Sequence, residues 1–145
     1  ELADPDLFLL AGRYTLLEQA PLEALFPQCA RAGAGIVIGG PYNSGVLAGK
    51  TTYDYAAIPR PIAERAQALR AVCDAHGVDL RAAALQFVLA HPLVVSVIPG
   101  AISQKEAQEN ADLLDVAIPA SLWRELKDRA MIHADLVRVT PGAGA

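Results

Sequence analysis

Three short runs, DLFLLAG (6–12), GIVIGG (35–40) and VVSVIPG (94–100), are apolar at nearly every position and close on glycine. A strand with one wet face alternates apolar and polar residues, whereas a run without alternation calls for cover on both faces. Such strands belong to a parallel sheet with helices laid over it, which predicts an α/β fold. Three strands make a poor sheet by themselves. A closed (β/α)8 barrel takes roughly 250 residues, and this chain has 145. The pattern therefore predicts part of a larger fold, unstable or aggregating alone because its sheet edges lack partners.

The segments between the strands carry helix signals. PLEALFPQCARAG (21–33) starts on proline and stops on glycine, with Pro27 expected at a break or kink. PIAERAQALRAVCDAHG (61–77) places Ile62, Ala66, Leu69 and Val72 on one face and ends at Gly77. DLRAAALQFVLAH (79–91) opens on Asp79, a good N-cap, and stops at Pro92. SQKEAQENADLL (103–114) opens on Ser103 with Glu106 three residues on, a capping box. PASLWRELKDRAMI (119–132) is the last expected helix, followed by a loose tail, HADLVRVTPGAGA. The predicted order is β-α-β-loop-α-α-β-α-α.

Composition narrows the class. Hydrophobic residues are 53% and charged residues 19%, too apolar for disorder, and the net charge of −4 disfavours a nucleic-acid partner. Cys29 and Cys73 fall in predicted helices with no ligand spacing around them, and read as reduced core residues of an intracellular protein. No run reaches the ~18 apolar residues of a membrane span. The most apolar stretch, 80–102, is interrupted by Arg81, Gln86, His91 and Pro92. The acidic start ELADPD is unlike a signal peptide. The expectation is a soluble, cytoplasmic protein without a membrane partner.

Two glycine loops carry chemistry. GVLAGKT (45–51) suggests a triphosphate loop, but that motif needs glycine at 44, where Ser44 stands. TTYDYAAIPRP comes next, where a helix should start. The dinucleotide fingerprint fails as well: Gly33 and Gly35 precede a strand, and the third glycine would be Ile38. What remains is a strand ending in Gly39-Gly40-Pro41 and a loop with Asn43, Ser44, Gly45, Gly49 and Lys50. Small residues admit a ligand close to the backbone, and amides with one lysine suit phosphate oxygens. The second loop, VIPGAISQKEAQEN, ends a strand and opens a helix, whose free amides favour an anion.

Together the two loops resemble the aldo-keto reductase superfamily, and the resemblance covers nearly the whole chain. GGPYNSGVLAGK (39–50) is similar to that family's loop after strand seven, and VIPGAISQKEAQENADLLD (97–115) to strand eight and its helix. FLLAGRYTLLEQ (8–19) resembles strand six and the segment after it. The phrases look most like the branch of L-fucose, D-threo-aldose and pyridoxal dehydrogenases. The resemblance implies the C-terminal part of a (β/α)8 barrel, strands six to eight, with the upstream half absent. It implies a nicotinamide dinucleotide held by Gly39, Gly40, Pro41, Tyr42, Asn43, Ser44, Lys50, Gly100, Ile102, Glu106, Glu109 and Asn110. The family's Asp-Tyr-Lys-His tetrad lies on earlier strands, so no catalytic residue and no metal site is assigned here. His76 and His91 read as helix-end residues.

Departures from the family pattern sharpen the expectation. Gly39 stands where an aromatic commonly stacks on the nicotinamide, leaving Tyr42 the nearest substitute. Ala11 replaces a frequent glutamine, and Ile102 a frequent serine. Glu106 stands where Arg or Gln often meets the adenosine ribose. A carboxylate there repels the 2′-phosphate of NADP and accepts hydrogen bonds from the free hydroxyl of NAD, so NAD is expected over NADP; the alternative is that Glu106 only completes the capping box with Ser103, and the two roles can coexist. The implied activity is reversible hydride transfer to or from an aldose, aldehyde or alcohol carbon. A non-catalytic dinucleotide-binding or scaffold protein of the same fold is the alternative, and a 145-residue unit pairing with a second chain is a third. The tail after Met131 is expected at the substrate mouth.

Overall fold

The computed structural model describes residues 5–53 and 56–133. Its elements are β1 (Leu7–Ala11), α1 (Leu25–Ala32), β2 (Gly35–Gly39), β3 (Thr52–Tyr53), β4 (Ala56–Ala57), α2 (Arg60–Ala75), α3 (Leu80–Leu89), β5 (Val94–Ile98), α4 (Gln104–Asp112) and α5 (Ala120–Asp128). Single turns of 3-10 helix occupy Ala20–Leu22 and Val46–Ala48. β1, β2 and β5 form one parallel sheet with β2 in the middle, and β3 pairs antiparallel with β4. The β3–β4 ribbon was not legible as strands in the polar loop.

Helix ends fall where their chemistry places them. The Asp79 carboxylate accepts the Arg81 backbone N–H at 2.8 Å and starts α3. Gly77, at φ +67°, turns the chain after α2, a conformation costly for a residue with a Cβ. The expected helix at 21–33 divides instead. Its proline-led start is the 3-10 turn, the break falls at residues 23–24, and Pro27 sits in the first turn of α1. There its missing N–H would have no intrahelical partner anyway.

α3 is the central helix, lying against β5 and α2. Leu80, Ala82, Ala83, Ala84, Leu85, Phe87 and Val88 are all buried, and three successive alanines leave little bulk to hold neighbours away. Tyr14 packs on Phe26 and Phe87 with ring centroids 4.7 and 5.3 Å apart, while His91 meets Phe26 edge-on at 4.5 Å. Cys29 and Cys73 are buried and unbridged, and burial pushes the Cys73 thiol up to about 11, away from reactivity.

The sheet departs from the two-sided burial its apolar runs predict. Ile36 and Ile38 of β2 are fully buried under the helices. Leu7 and Leu9 of β1 are paired with Gly35 and Val37, so they lie on the opposite face, and they are 58% and 59% exposed. Val95 is the extra residue where the β2–β5 register shifts; it reaches over Gly35 and is 58% exposed. Ile98 is 51% exposed. Among the described residues, the helices cover one face and leave the other bare. No helix of the described residues is long and apolar enough to cross a membrane.

The beginning of the tail is held from both sides. The Gln19 amide donates to the Met131 carbonyl (3.1 Å) and accepts the His133 N–H (2.9 Å), and Arg65 donates to the same carbonyl at 2.8 Å. The rest of the tail, expected at a substrate mouth, lies outside the described residues.

Candidate functional site

The ends of the three parallel strands are tied side by side. Gly12 N–H donates to the Gly39 carbonyl at 2.8 Å, and Gly40 N–H to the Ile98 carbonyl at 3.2 Å. The loops after β2 and β5, the two singled out in the sequence, therefore leave the same edge of the sheet.

After Gly40 the chain turns tightly. Asn43, Ser44 and Gly45 adopt successive left-handed conformations, at φ +49°, +56° and +95°. Non-glycine residues rarely take that conformation, and asparagine tolerates it best. The turn is held by Asn43 N–H to the Gly40 carbonyl (3.1 Å), Val46 N–H to Asn43 (3.1 Å) and Lys50 N–H to Gly45 (2.8 Å). The Asn43 amide also donates to the Gly12 carbonyl at 3.1 Å, which pins the turn to the end of β1. A Cβ on Gly45 would lie 2.5 Å from Cδ of Lys50. Glycine there lets the lysine stem lie across the backbone and carries its ammonium to the cleft. No carboxylate pairs with Lys50 among the described residues.

The opposite wall is α4. Ser103 Oγ accepts the Glu106 N–H (3.1 Å), and Glu106 Oε2 accepts the N–H of Ile102 (3.0 Å), one residue before the partner a standard capping box uses. The walls are bridged at Tyr42, whose hydroxyl donates to Asn110 Oδ1 at 2.7 Å while Asn110 Nδ2 donates to the Gly100 carbonyl at 3.3 Å. Tyr42 and Asn110 are both 8% exposed. Burial, followed by the opposed fields of Arg81 and Asp79, pushes the Tyr42 hydroxyl up to about 12, so it stays protonated and bonded.

Between the walls lies an open cleft of about 400 Å³. Of the residues expected to hold a cofactor, Gly40, Tyr42, Ser44, Lys50, Gly100, Ile102, Glu106, Glu109 and Asn110 line it. Gly39, Pro41 and Asn43 do not: Gly39 ends β2 in register with Ala11 and Ile98, and Asn43 supports the turn from behind. Tyr42, expected as a substitute stacking ring, has its hydroxyl engaged by Asn110 and braces the two loops. Ile102 is 85% exposed at the mouth.

Arg81 also lines the cleft and was missed. Its Nη2 donates to Asp79 Oδ2 at 2.9 Å and its Nη1 to Glu109 Oε2 at 3.2 Å, lashing α3 to α4. Burial draws the Asp79 carboxyl upward, but the Arg81 hydrogen bonds and charge outweigh it and hold it below the ordinary range. The signal was an arginine two residues after a capping aspartate. Nothing local says that this helix start faces α4.

The cleft thus offers a lysine, an arginine and small residues at close approach, beside the amino end of α4, a set suited to a phosphate-bearing ligand. His76 and His91 lie elsewhere, as helix-end residues. His76 closes α2 and bonds Glu125 at 2.7 Å, and His91 Nδ1 accepts the Leu93 N–H at 3.2 Å.

The chain is 40% identical over 135 residues to a D-threo-aldose 1-dehydrogenase of Pseudomonas sp, covering 90% of this chain and 41% of that protein. It is 38% identical over 136 residues to a pyridoxal 4-dehydrogenase of Microbacterium luteolum, covering 91% and 40% respectively. The chain thus spans about two fifths of the length of these relatives. In structure it resembles the holo form of aldo-keto reductase AKR11C1 from Bacillus halodurans, with a TM-score of 0.66 at 22% identity over 92% of this chain and 44% of that one. That likeness shows an α/β fold matching the TIM-barrel reductases. The aldo/keto reductase family model matches residues 2–130, and the chain belongs to the aldo/keto reductase family.

Proposed function

We propose that this chain forms the dinucleotide-holding part of an NAD(P)-dependent oxidoreductase, corresponding to strands six to eight of a (β/α)8 barrel. The observation that carries this reading is the cleft between the loops after β2 and β5, with Lys50 on one wall and the amino end of α4 on the other. The fit is physical. The left-handed turn brings bare backbone to the cleft, Lys50 supplies charge for a pyrophosphate, and the amino end of α4 adds the positive end of its dipole. The bound nicotinamide would supply the hydride-accepting or hydride-donating ring.

This chain's own residues then bind and orient. Tyr42 and Asn110 keep the two walls at fixed separation, and Ser44 and Gly100 line the path between them. Glu106 accepts the Ile102 N–H and lines the cleft, so its negative charge lies beside the ligand, which supports the reading of NAD over NADP. The proton-transferring tetrad belongs to the upstream half of the barrel. That half would also cover the bare face of the sheet. The substrate class is taken from the relatives: an aldose, or an aldehyde or alcohol carbon.

The test is turnover by the full-length protein, supplied with NAD or NADP and offered L-fucose, D-threo-aldoses or pyridoxal, with absorbance at the reduced nicotinamide as readout. Reduction of NAD in preference to NADP is expected. Cofactor binding without hydride transfer to any of these would instead support the non-catalytic alternative. No binding of either dinucleotide would overturn the reading.

A further inference from the structure

We infer that Arg81 is a specificity-determining residue of the cleft, and that its ion pair with Glu109 sets how well the site tolerates a phosphate on the adenosine ribose. This inference rests on the dinucleotide reading above and adds to it a residue from a different helix.

Arg81 and Lys50 both line the cleft, but in different electrostatic settings. Lys50 has no carboxylate partner among the described residues. Arg81 is anchored on Asp79 through Nε (3.2 and 3.3 Å) and Nη2 (2.9 Å), and reaches across to Glu109 through Nη1 (3.2 Å). A guanidinium carries five N–H donors, and these contacts leave one hydrogen on each terminal nitrogen. Asp79 is the N-cap of α3, so that anchor is built into the helix start and holds the guanidinium beside the cleft. Glu109 is the variable partner: it lies on α4, it also has Lys105 Nζ at 3.8 Å, and it is 40% exposed at the side chain.

Glu109 lies one turn after Glu106, and both line the cleft. The α4 wall therefore presents two carboxylates, and Arg81 is the cation that offsets the second. A ribose phosphate brought to this wall meets two carboxylates against one guanidinium that Asp79 also holds, so changing either member of the Arg81–Glu109 pair moves that charge. Arginine suits such a contact better than lysine because its planar fork can serve Glu109 and a phosphate oxygen together.

The experiment compares 5′-AMP with adenosine 2′,5′-bisphosphate, which differ by one ribose phosphate, by calorimetric titration of the full-length protein at low ionic strength. For Glu109→Gln, which removes the carboxylate charge facing the guanidinium and leaves Arg81 anchored by Asp79, the affinity ratio should move toward the bisphosphate by roughly three-fold or more, the scale of a partly exposed charge pair. For Arg81→Gln the ratio should move the other way by a similar factor, and Arg81→Lys should recover part of it. Because Arg81→Gln also loosens the start of α3, Glu109→Gln at the surface serves as the variant whose fold is not at risk. Binding of both nucleotides with a ratio unchanged in Glu109→Gln and Arg81→Gln would overturn the role of Arg81 and leave the dinucleotide reading standing. Failure of the folded wild-type protein to bind either nucleotide would overturn both.

Discussion

Tyr42 has a bracing role that its place after the glycine pair does not announce. Its position after the glycine pair suggested a ring for the cofactor, and it does line the cleft. Its hydroxyl is nevertheless committed to Asn110 across the cleft, and burial keeps it protonated up to about 12. We predict that Tyr42→Phe, which keeps the ring and deletes that bond, lowers unfolding stability by about 1–2 kcal/mol, since Asn110 Oδ1 loses its buried donor. Urea unfolding of the full-length protein measures this. A loss well under half that size would mean that Asn110 finds another donor at no cost. The amide of Asn110 should also exchange faster in the variant, because its carbonyl-bonded Nδ2 is no longer held from the other side.

At the scale of elements, α3 joins the core to the cleft. Its body is buried among β5 and α2, and its first turn carries both the Asp79 cap and Arg81. The Asp79 carboxyl binds its proton less tightly when folded than when unfolded. The stability it contributes is therefore fully present above the ordinary aspartate value of about 4 and is lost as pH falls through the lowered folded value. Asp79→Asn retains a capping oxygen and removes the charge. We expect it to cost about 0.5–1 kcal/mol near pH 7, a figure already reduced for partial exposure. Unfolding curves of both proteins between pH 7 and 3 should converge toward the acid end. Curves that stay parallel would show that the charge of Asp79 is not what stabilises the helix start. The ends of β2 and β5 were legible for a simpler reason, since a glycine that closes an apolar run leaves little else for the chain to do.

For the molecule as a whole, the decisive feature is the bare sheet face. Leu7, Leu9, Val95 and Ile98 are each more than half exposed, on strands whose apolar runs call for cover. A 145-residue chain prepared by itself is expected to bind a hydrophobic dye and to self-associate as its concentration rises. Replacing Leu9 and Ile98 by lysine should reduce that association, because charge is costly to bury between two such faces. On the proposed reading, in which an upstream half of a barrel covers this face, the same double substitution in a longer protein containing that half should destabilise it. A monomeric, dye-free short chain, or a full-length protein indifferent to the two lysines, would count against the covered-face reading. Sedimentation and dye fluorescence decide between these outcomes.

The division between what was legible and what was not tracks the range of the forces involved. The strand runs, the helix caps at Asp79 and Ser103, the stop at Gly77 and the two glycine loops rest on patterns within a few residues, and each stands in the sequence by itself. The start of α1 was misplaced because a proline signals a helix start equally well for a 3-10 turn. The Tyr42–Asn110 bridge, the Arg81–Glu109 pair and the bare face join residues far apart in the chain, or depend on which elements are present to cover a strand. Sequence alone thus determined the parts and marked the two loops. Only the tertiary structure decided that Tyr42 braces the cleft, that Arg81 belongs to it, and that one side of the sheet remains open, because packing across the fold leaves no mark on local pattern.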